Sequence, residues 1–239
     1  MNWRVMGKYR IAELNVMVEA EGERLLRQMK PYESCFAGEP QISLALSEAD
    51  RASRIVCCGT MSAEEWEYCL TGDRFLEQLI VKRYGIILHA SAILVDGNAY
   101  LFSAKSGTGK STHTQLWMRY LDGNARILND DKPALRCLNG HMYAYGTPWS
   151  GTSPLNVNER GNLKGIAYLS RAKENRIEEV HGAEAVRLIL DNMLRPISSE
   201  HLSYVLEFIA QMLKEVPVYR LECNMDLAAA ELAYSVMKK

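Results

Sequence analysis

Apolar and polar positions alternate in short runs through most of the chain, and this period of two predicts strands. Tyr9 to Val18, with Ile11, Leu14, Val16 and Val18 apolar, reads as one strand; Gln41 to Leu46 and Arg54 to Cys57 read as two more. Gly22 to Glu39 is a polar, proline-containing connection. Ser62-Ala63-Glu64-Glu65 has the form of a capping box, and Asp73 to Tyr84 spaces its apolar residues for a helix that stops at Gly85. Ile86 to Val95, Asp96-Gly97 and Ala99 to Phe102 form a hairpin pattern, because Asp-Gly supplies the positive φ angles of a primed turn. Leu135 to Leu138 and His141 to Tyr145 repeat that pattern around Asn139-Gly140. Gly165 to Ser170 and Ile177 to Val180 read as a further hairpin around the polar turn Arg171 to Arg176. Gly182 to Leu194 and Leu202 to Leu213 carry core-facing helical stripes; Val218 to Leu221 predicts a strand and Leu227 to Met237 a final helix.

This order divides the chain into a small strand-rich part, residues 1–61, and a larger α/β domain, residues 62–239. A chain of 239 residues with 48% hydrophobic content supports a sizeable core. The net charge of -1 gives no bulk field toward nucleic acid or an anionic membrane, and no apolar run reaches the ~20 residues of a membrane span. Cys35, Cys57, Cys58, Cys69, Cys137 and Cys223 show no CxxC pairing, and the first residues hold no apolar signal core. The expectation is a cytoplasmic protein with reduced thiols, no nucleic-acid partner and no membrane partner.

Chemistry enters at Ala104-Lys105-Ser106-Gly107-Thr108-Gly109-Lys110-Ser111-Thr112, which follows the strand Asn98 to Ser103 and opens a helix through Leu121. Strand, glycine loop and helix start together make a phosphate-binding P-loop. Gly107 and Gly109 admit positive φ, so successive N–H groups from Ser106 to Thr112 curl around an anion at the positive end of the helix. Lys110 reaches the β- and γ-phosphates, and the Ser111 hydroxyl is a Mg²⁺ ligand. Ala104 stands where the pattern has its first glycine, at the strand end.

After the helix, Ala125 to Leu128 predicts a strand that ends in Asn129-Asp130-Asp131, where a nucleotide enzyme needs a metal ligand and a base. His89, on the first hairpin strand, has two readings: a hydrogen-bonded core histidine, or a neighbour of the phosphate site. Gly146 to Thr152, rich in hydroxyls and glycine, is either a lid or an ordinary connection. No spacing supports a structural metal site.

Leu88-His89-Ala90-Ser91-Ala92-Ile93, Ser106 to Thr112, Asn129 to Lys132 and Gly146 to Gly151 together resemble the HPr kinase/phosphorylase-like group, whose P-loop is related to that of phosphoenolpyruvate carboxykinases. The chain is similar to the small relatives found beside peptide-modifying gene clusters. The resemblance implies an α/β fold like the C-terminal domain of an HPr kinase, with a mixed sheet, flanking helices and a small strand-rich N-terminal part. It also implies ATP and Mg²⁺ as cofactors, with GTP an open alternative, and a homo-oligomer of unspecified size. Ser111 and Asp131 would hold Mg²⁺, Asp130 would accept the proton of the attacking hydroxyl, and His89 would orient it or neutralise charge. The order of the two aspartates stays open.

The leading functional expectation is a kinase that transfers the γ-phosphoryl group of ATP to a hydroxyl, that of a serine above all, on a peptide, protein or small molecule. A non-catalytic nucleotide-binding regulatory module and an NTP hydrolase are the alternatives. Two carboxylates beside the loop favour transfer over binding alone.

Overall fold

A computed structural model describes residues 5–50, 61–105, 107–193 and 198–239. The expected strand Arg54 to Cys57 and the loop residue Ser106 lie outside these. The architecture is mixed α/β. Its main sheet carries, among the described residues, β4 (Ile86–Ile87), β5 (Ala90–Val95), β6 (Asn98–Ser103), β7 (Ala125–Asn129), β8 (Ala134–Leu138), β9 (His141–Tyr145), β10 (Arg160–Arg171), β11 (Arg176–Val180) and β12 (Val218–Cys223). The order is β4-β8-β9-β10-β6-β5-β7, with β12 and β11 continuing from β10.

β6 shows why both faces are covered. Ala99 and Leu101 join a core beneath α2 (Ala63–Val81), α4 (Gly182–Asp191) and α5 (Ser199–Met212). Tyr100 and Phe102, which point the other way, join a core beneath α3 (Lys110–Tyr120) and α6 (Leu227–Met237). Trp117 anchors that second core, with ring centroids 5.0 Å from Phe102, 5.1 Å from Tyr100 and 5.3 Å from Tyr234.

Both signalled primed turns form: Asp96 and Gly97 have φ 48° and 76°, and Asn139 and Gly140 have φ 52° and 84°. Tyr9 to Val18 is not one strand. It folds back at Ala12-Glu13, φ 50° and 62°, so that β1 (Val5–Ile11) pairs with β2 (Leu14–Ala20). Neither residue favours that conformation, and the turn is held from the main sheet instead. Arg136 Nη1 donates to the Ala12 carbonyl, Arg160 pairs with Glu13 at 2.8 Å, and the Tyr145 hydroxyl donates to Glu13 at 3.2 Å. The polar stretch after β2 contains α1 (Glu23–Met29), and β3 (Ile42–Leu44) completes this small sheet. The buried side of the small sheet, α2 and the main sheet share one apolar core.

Two other expectations change. β10 and β11 are not a hairpin, because β12 inserts between them, parallel to β10 and antiparallel to β11. Asn224 after β12 fixes the intervening turn, donating from its amide N–H to Asn175 Oδ1 at 2.9 Å and from Nδ2 to the Lys173 carbonyl at 3.1 Å. The strand expected over Ile86 to Val95 breaks at Leu88-His89, so β4 pairs with β8 while β5 pairs with β6 and β7. β4 and β5 are neighbours in sequence at distant places in one sheet, so the sheet curls. That crease is where the chemistry collects.

α2 has the full capping box, with Glu65 N–H donating to Ser62 Oγ at 3.2 Å and the Glu65 carboxylate returning to Ser62 N–H at 3.3 Å. Gly72, mid-helix, lies under Trp149, which stacks on Phe75 at 4.9 Å. A Cβ at Gly72 would come within 2.8 Å of the indole. Gly72→Ala should therefore lower the melting temperature, reversing the gain of about 1 kcal/mol that helix propensity alone confers. Thermal unfolding followed by circular dichroism checks the sign.

Candidate functional site

β6 ends at Ser103, and the chain passes through Ala104 into the glycine loop and α3. Ala104 is 4% exposed, so its methyl packs into the core where a glycine would leave a gap. Gly107 and Gly109 have φ 75° and 123°. Helix α3 has no side-chain cap, which leaves its first N–H groups to an anion. Two carbonyls of the glycine loop are braced from β10: Arg171 Nε donates to Thr108 O at 3.2 Å and Nη2 to Gly107 O. Lys110 Nζ lies 3.5 Å from the Ala104 carbonyl. Burial lowers the Lys110 pKa, and the charges of Asp131 and Asp130 oppose that shift.

β7 runs antiparallel to β5, so its C-terminal end meets the start of β5 beside the end of β6. The Asn129 side chain then turns the chain out of the ladder. Its Oδ1 accepts from the N–H groups of Asp131 at 2.9 Å and Lys132 at 2.7 Å, and its Nδ2 donates to the Thr147 carbonyl at 2.9 Å. Asp130 and Asp131 consequently face different partners. The Asp130 carboxylate accepts from Ser91 Oγ at 2.6 Å and from Ser111 Oγ at 3.1 Å, which joins β7, β5 and the first turn of α3. Asp131 Oδ1 lies 3.2 Å from His89 Nε2. His89 sits at the crease itself: its N–H donates to the Asn192 carbonyl at 3.0 Å and its own carbonyl accepts from Ser103 Oγ at 2.7 Å.

Gly107, Thr108, Gly109, Lys110, Ser111 and Thr112 therefore sit at one mouth, with Asp130, Asp131 and His89 gathered beside Ser111. Ser91 and Arg171 were not singled out from sequence. Ser91 carried a readable signal, a buried hydroxyl two positions after His89 on an otherwise apolar strand; Arg171, at the end of a strand, carried none. The basic residues Arg136 and Arg160 are committed to the Ala12-Glu13 turn, away from this mouth. Gly146 to Thr152 is not a free lid, since Thr147, Trp149 and Ser150 are all but fully buried. It reaches the site through Gly151, where an added Cβ would be 3.2 Å from Asp131 Cβ, and whose carbonyl accepts from Arg24 at 2.7 Å.

Among the described residues no cluster of three or more His, Cys, Asp and Glu side chains forms a metal cage. Ser111 and Asp130 offer instead a pair of hard oxygen donors next to the glycine loop. That set suits Mg²⁺, which keeps several waters and takes its remaining ligands from a bound polyphosphate.

Removing Arg171 should loosen the cradle without touching the carboxylates. Arg171→Ala is expected to raise the dissociation constant of Mg-ATP by about three- to tenfold, the range for losing exposed charge-assisted hydrogen bonds. Isothermal titration reads it directly.

No family model matches the chain, and no curated protein matches it. Among solved structures it is similar to the Hpr(Ser) kinase/phosphatase from Coxiella burnetii, with a TM-score of 0.37 and 13% identity over 64% of this chain and 88% of that one. The geometry of the chain's own residues carries the functional reading that follows. Among the described residues no helix is long and apolar enough to cross a membrane.

Proposed function

We propose that the chain is an ATP- and Mg²⁺-dependent phosphotransferase that moves the γ-phosphoryl group to a hydroxyl, that of a serine in a peptide, protein or small molecule. The observation that carries this reading is the pair of separately partnered carboxylates at the mouth of the glycine loop, Asp130 on Ser111 and Asp131 on His89. The resemblance of the same segments to HPr kinase/phosphorylase-like proteins agrees with it.

Their partners divide the labour in the reverse of the order expected from sequence. Asp130 shares Ser111 and is fixed by Ser91, so it is the metal-side carboxylate; a Mg²⁺ held there would neutralise charge on the phosphoryl oxygens. Asp131, 25% exposed and outside that pairing, is free to accept the acceptor hydroxyl's proton as its oxygen attacks phosphorus. His89 Nε2, 3.2 Å from Asp131 Oδ1, sits beside that carboxylate and helps to hold it in place. The loop N–H groups and Lys110 position the γ-phosphoryl group. Transfer needs little beyond this, since positioning and electrostatics supply most of its rate.

The test incubates the chain with γ-labelled ATP and Mg²⁺, alone and with serine, serine peptides and cell extract. Label on an acceptor hydroxyl establishes the phosphotransferase. Release as inorganic phosphate regardless of acceptor makes it a hydrolase, and tight binding with neither product makes it a regulatory module.

A further inference from the structure

The small N-terminal part meets the carboxylates at Gly151. Trp149 and Ser150 are buried and Thr152 is exposed, so the chain leaves the core at this glycine, whose φ is 72°. A Cβ added there would lie 3.3 Å from Asp131 Cγ and 3.5 Å from Oδ2, so the Gly151 backbone packs on the carboxylate. Asp131 Oδ1 lies 3.2 Å from His89 Nε2. The carboxylate is thus flanked by His89 at one oxygen and by Gly151 at the other.

We propose that Arg24, on α1 of the small N-terminal part, is a positioning residue for the transfer: it holds Gly151 against Asp131 and so fixes the carboxylate that takes the proton. The inference rests on the reading of Asp131 as the base and goes beyond it by giving the small N-terminal part a share in the reaction. Arg24 Nη2 donates to the Gly151 carbonyl at 2.7 Å, and Nη1 lies 3.6 Å from Glu65 Oε1. The guanidinium stacks on Tyr68, its carbon 4.2 Å from the ring centroid. α1 is in turn tied to α2. The buried Glu67 carboxylate accepts from the N–H groups of Glu21 at 2.8 Å and Gly22 at 2.6 Å, and a Cβ on Gly22 would come within 2.6 Å of Glu67 Oε2.

The turn up to Ser150 is secured without Arg24. Trp149 is packed over Gly72 and Phe75, Ser150 N–H donates to the Tyr68 hydroxyl at 2.7 Å, and Ser150 Oγ accepts from Asn156 Nδ2 at 3.0 Å. What Arg24 adds is a hold on the next residue, the one that touches the base. An aspartate swings about two side-chain bonds, and His89 restrains Asp131 from one side alone. Proton transfer needs a carboxylate oxygen within hydrogen-bond reach of the attacking hydroxyl, and a displacement of about 1 Å costs up to about a hundredfold in rate. Neither Arg24 nor Gly151 belongs to the glycine loop or to the Ser111–Asp130 pair, so nucleotide and Mg²⁺ binding do not depend on them.

The experiment is a double-mutant cycle on the full chain, read as single-turnover consumption of γ-labelled Mg-ATP in the presence of serine peptides, beside titrations of Mg-ATP. Arg24→Ala should slow consumption by about ten- to a hundredfold and leave the dissociation constant of Mg-ATP unchanged. In a chain that already carries Asp131→Asn it should change the remaining rate by less than about twofold, because a residue that acts through the base has nothing left to position. Glu13→Ala releases the same N-terminal part at its other tether, to Arg160 and Tyr145; it should lower the melting temperature and leave the rate as it was. The inference is overturned if Arg24→Ala leaves the rate intact, weakens Mg-ATP binding instead, or slows the Asp131→Asn chain by the same factor as the parent. It is overturned equally if Glu13→Ala slows the reaction as much as Arg24→Ala does. Label passing to water alone, with the cycle as expected, would overturn the hydroxyl acceptor and leave the role of Arg24 standing. No consumption of ATP by the parent chain would overturn the phosphotransferase reading, and this inference with it.

Discussion

Asp131→Asn should bind Mg-ATP as tightly as the parent chain and transfer its phosphoryl group about 10²–10⁴-fold more slowly, the usual contribution of a positioned base. The amide has nearly the shape of the carboxylate that lies beside His89 Nε2, so the crease keeps its geometry and only the proton acceptor is lost. Asp130→Asn should behave differently, because its carboxylate meets Ser111 and Ser91. There the dissociation constant in Mg²⁺ is expected to rise toward its value in EDTA, with turnover lost as a consequence. Nucleotide titrations with and without Mg²⁺, beside single-turnover transfer of label, separate the two. If Asp130→Asn keeps Mg²⁺-dependent binding and Asp131→Asn loses it, the order expected from sequence is restored. If neither substitution changes binding or transfer, the carboxylates have no part in the reaction.

The partners of Asp130 and Asp131 could not be read from Asn129-Asp130-Asp131 as letters, because they depend on what each side chain meets once Asn129 turns the chain out of the ladder. The place of the glycine loop between strand and helix, and of the acidic pair at a neighbouring strand end, was legible because those residue types in that order mark such a turn. The hairpins at Asp96-Gly97 and Asn139-Gly140 were legible for a similar reason, since positive φ at successive residues demands those types. Ala12-Glu13 adopts the same conformation without such residues because Arg136, Arg160 and Tyr145 hold it, and contacts so distant in sequence leave no local pattern. The place of β12 between β10 and β11 is hidden in the same way. A short loop between two strands reads as a hairpin, and only the later strand, with Asn224 gripping the loop, overrides that. Trp149 gave no sign that its segment would be buried, because its binding site is the gap above Gly72 on a helix far away in the chain.

His113 makes the stability of the chain depend on pH in a defined direction. It is 2% exposed, accepts from Trp117 and lies edge-on to Phe102, with centroids 4.7 Å apart. Burial lowers its pKa from 6.5 to about 4. Between those values the unfolded chain binds a proton at this histidine and the folded chain does not, so acidification favours unfolding. The stabilisation is complete above pH 6.5, is lost progressively as pH falls toward 4, and does not change further below that. Its full size is about 3 kcal/mol as an upper figure, since the unfolded chain retains some structure. Carboxylates also titrate at the acid end, so the informative quantity is the difference from a variant. His113→Gln keeps an acceptor for the Trp117 indole and removes the titration. Urea unfolding of the ligand-free chain at intervals from pH 7 to pH 4.5 should show the parent losing about 2–3 kcal/mol more than this variant. Parallel losses would mean that the buried ring is protonated in the folded state, and that Nδ1 and Nε2 both carry protons despite the indole donor beside them.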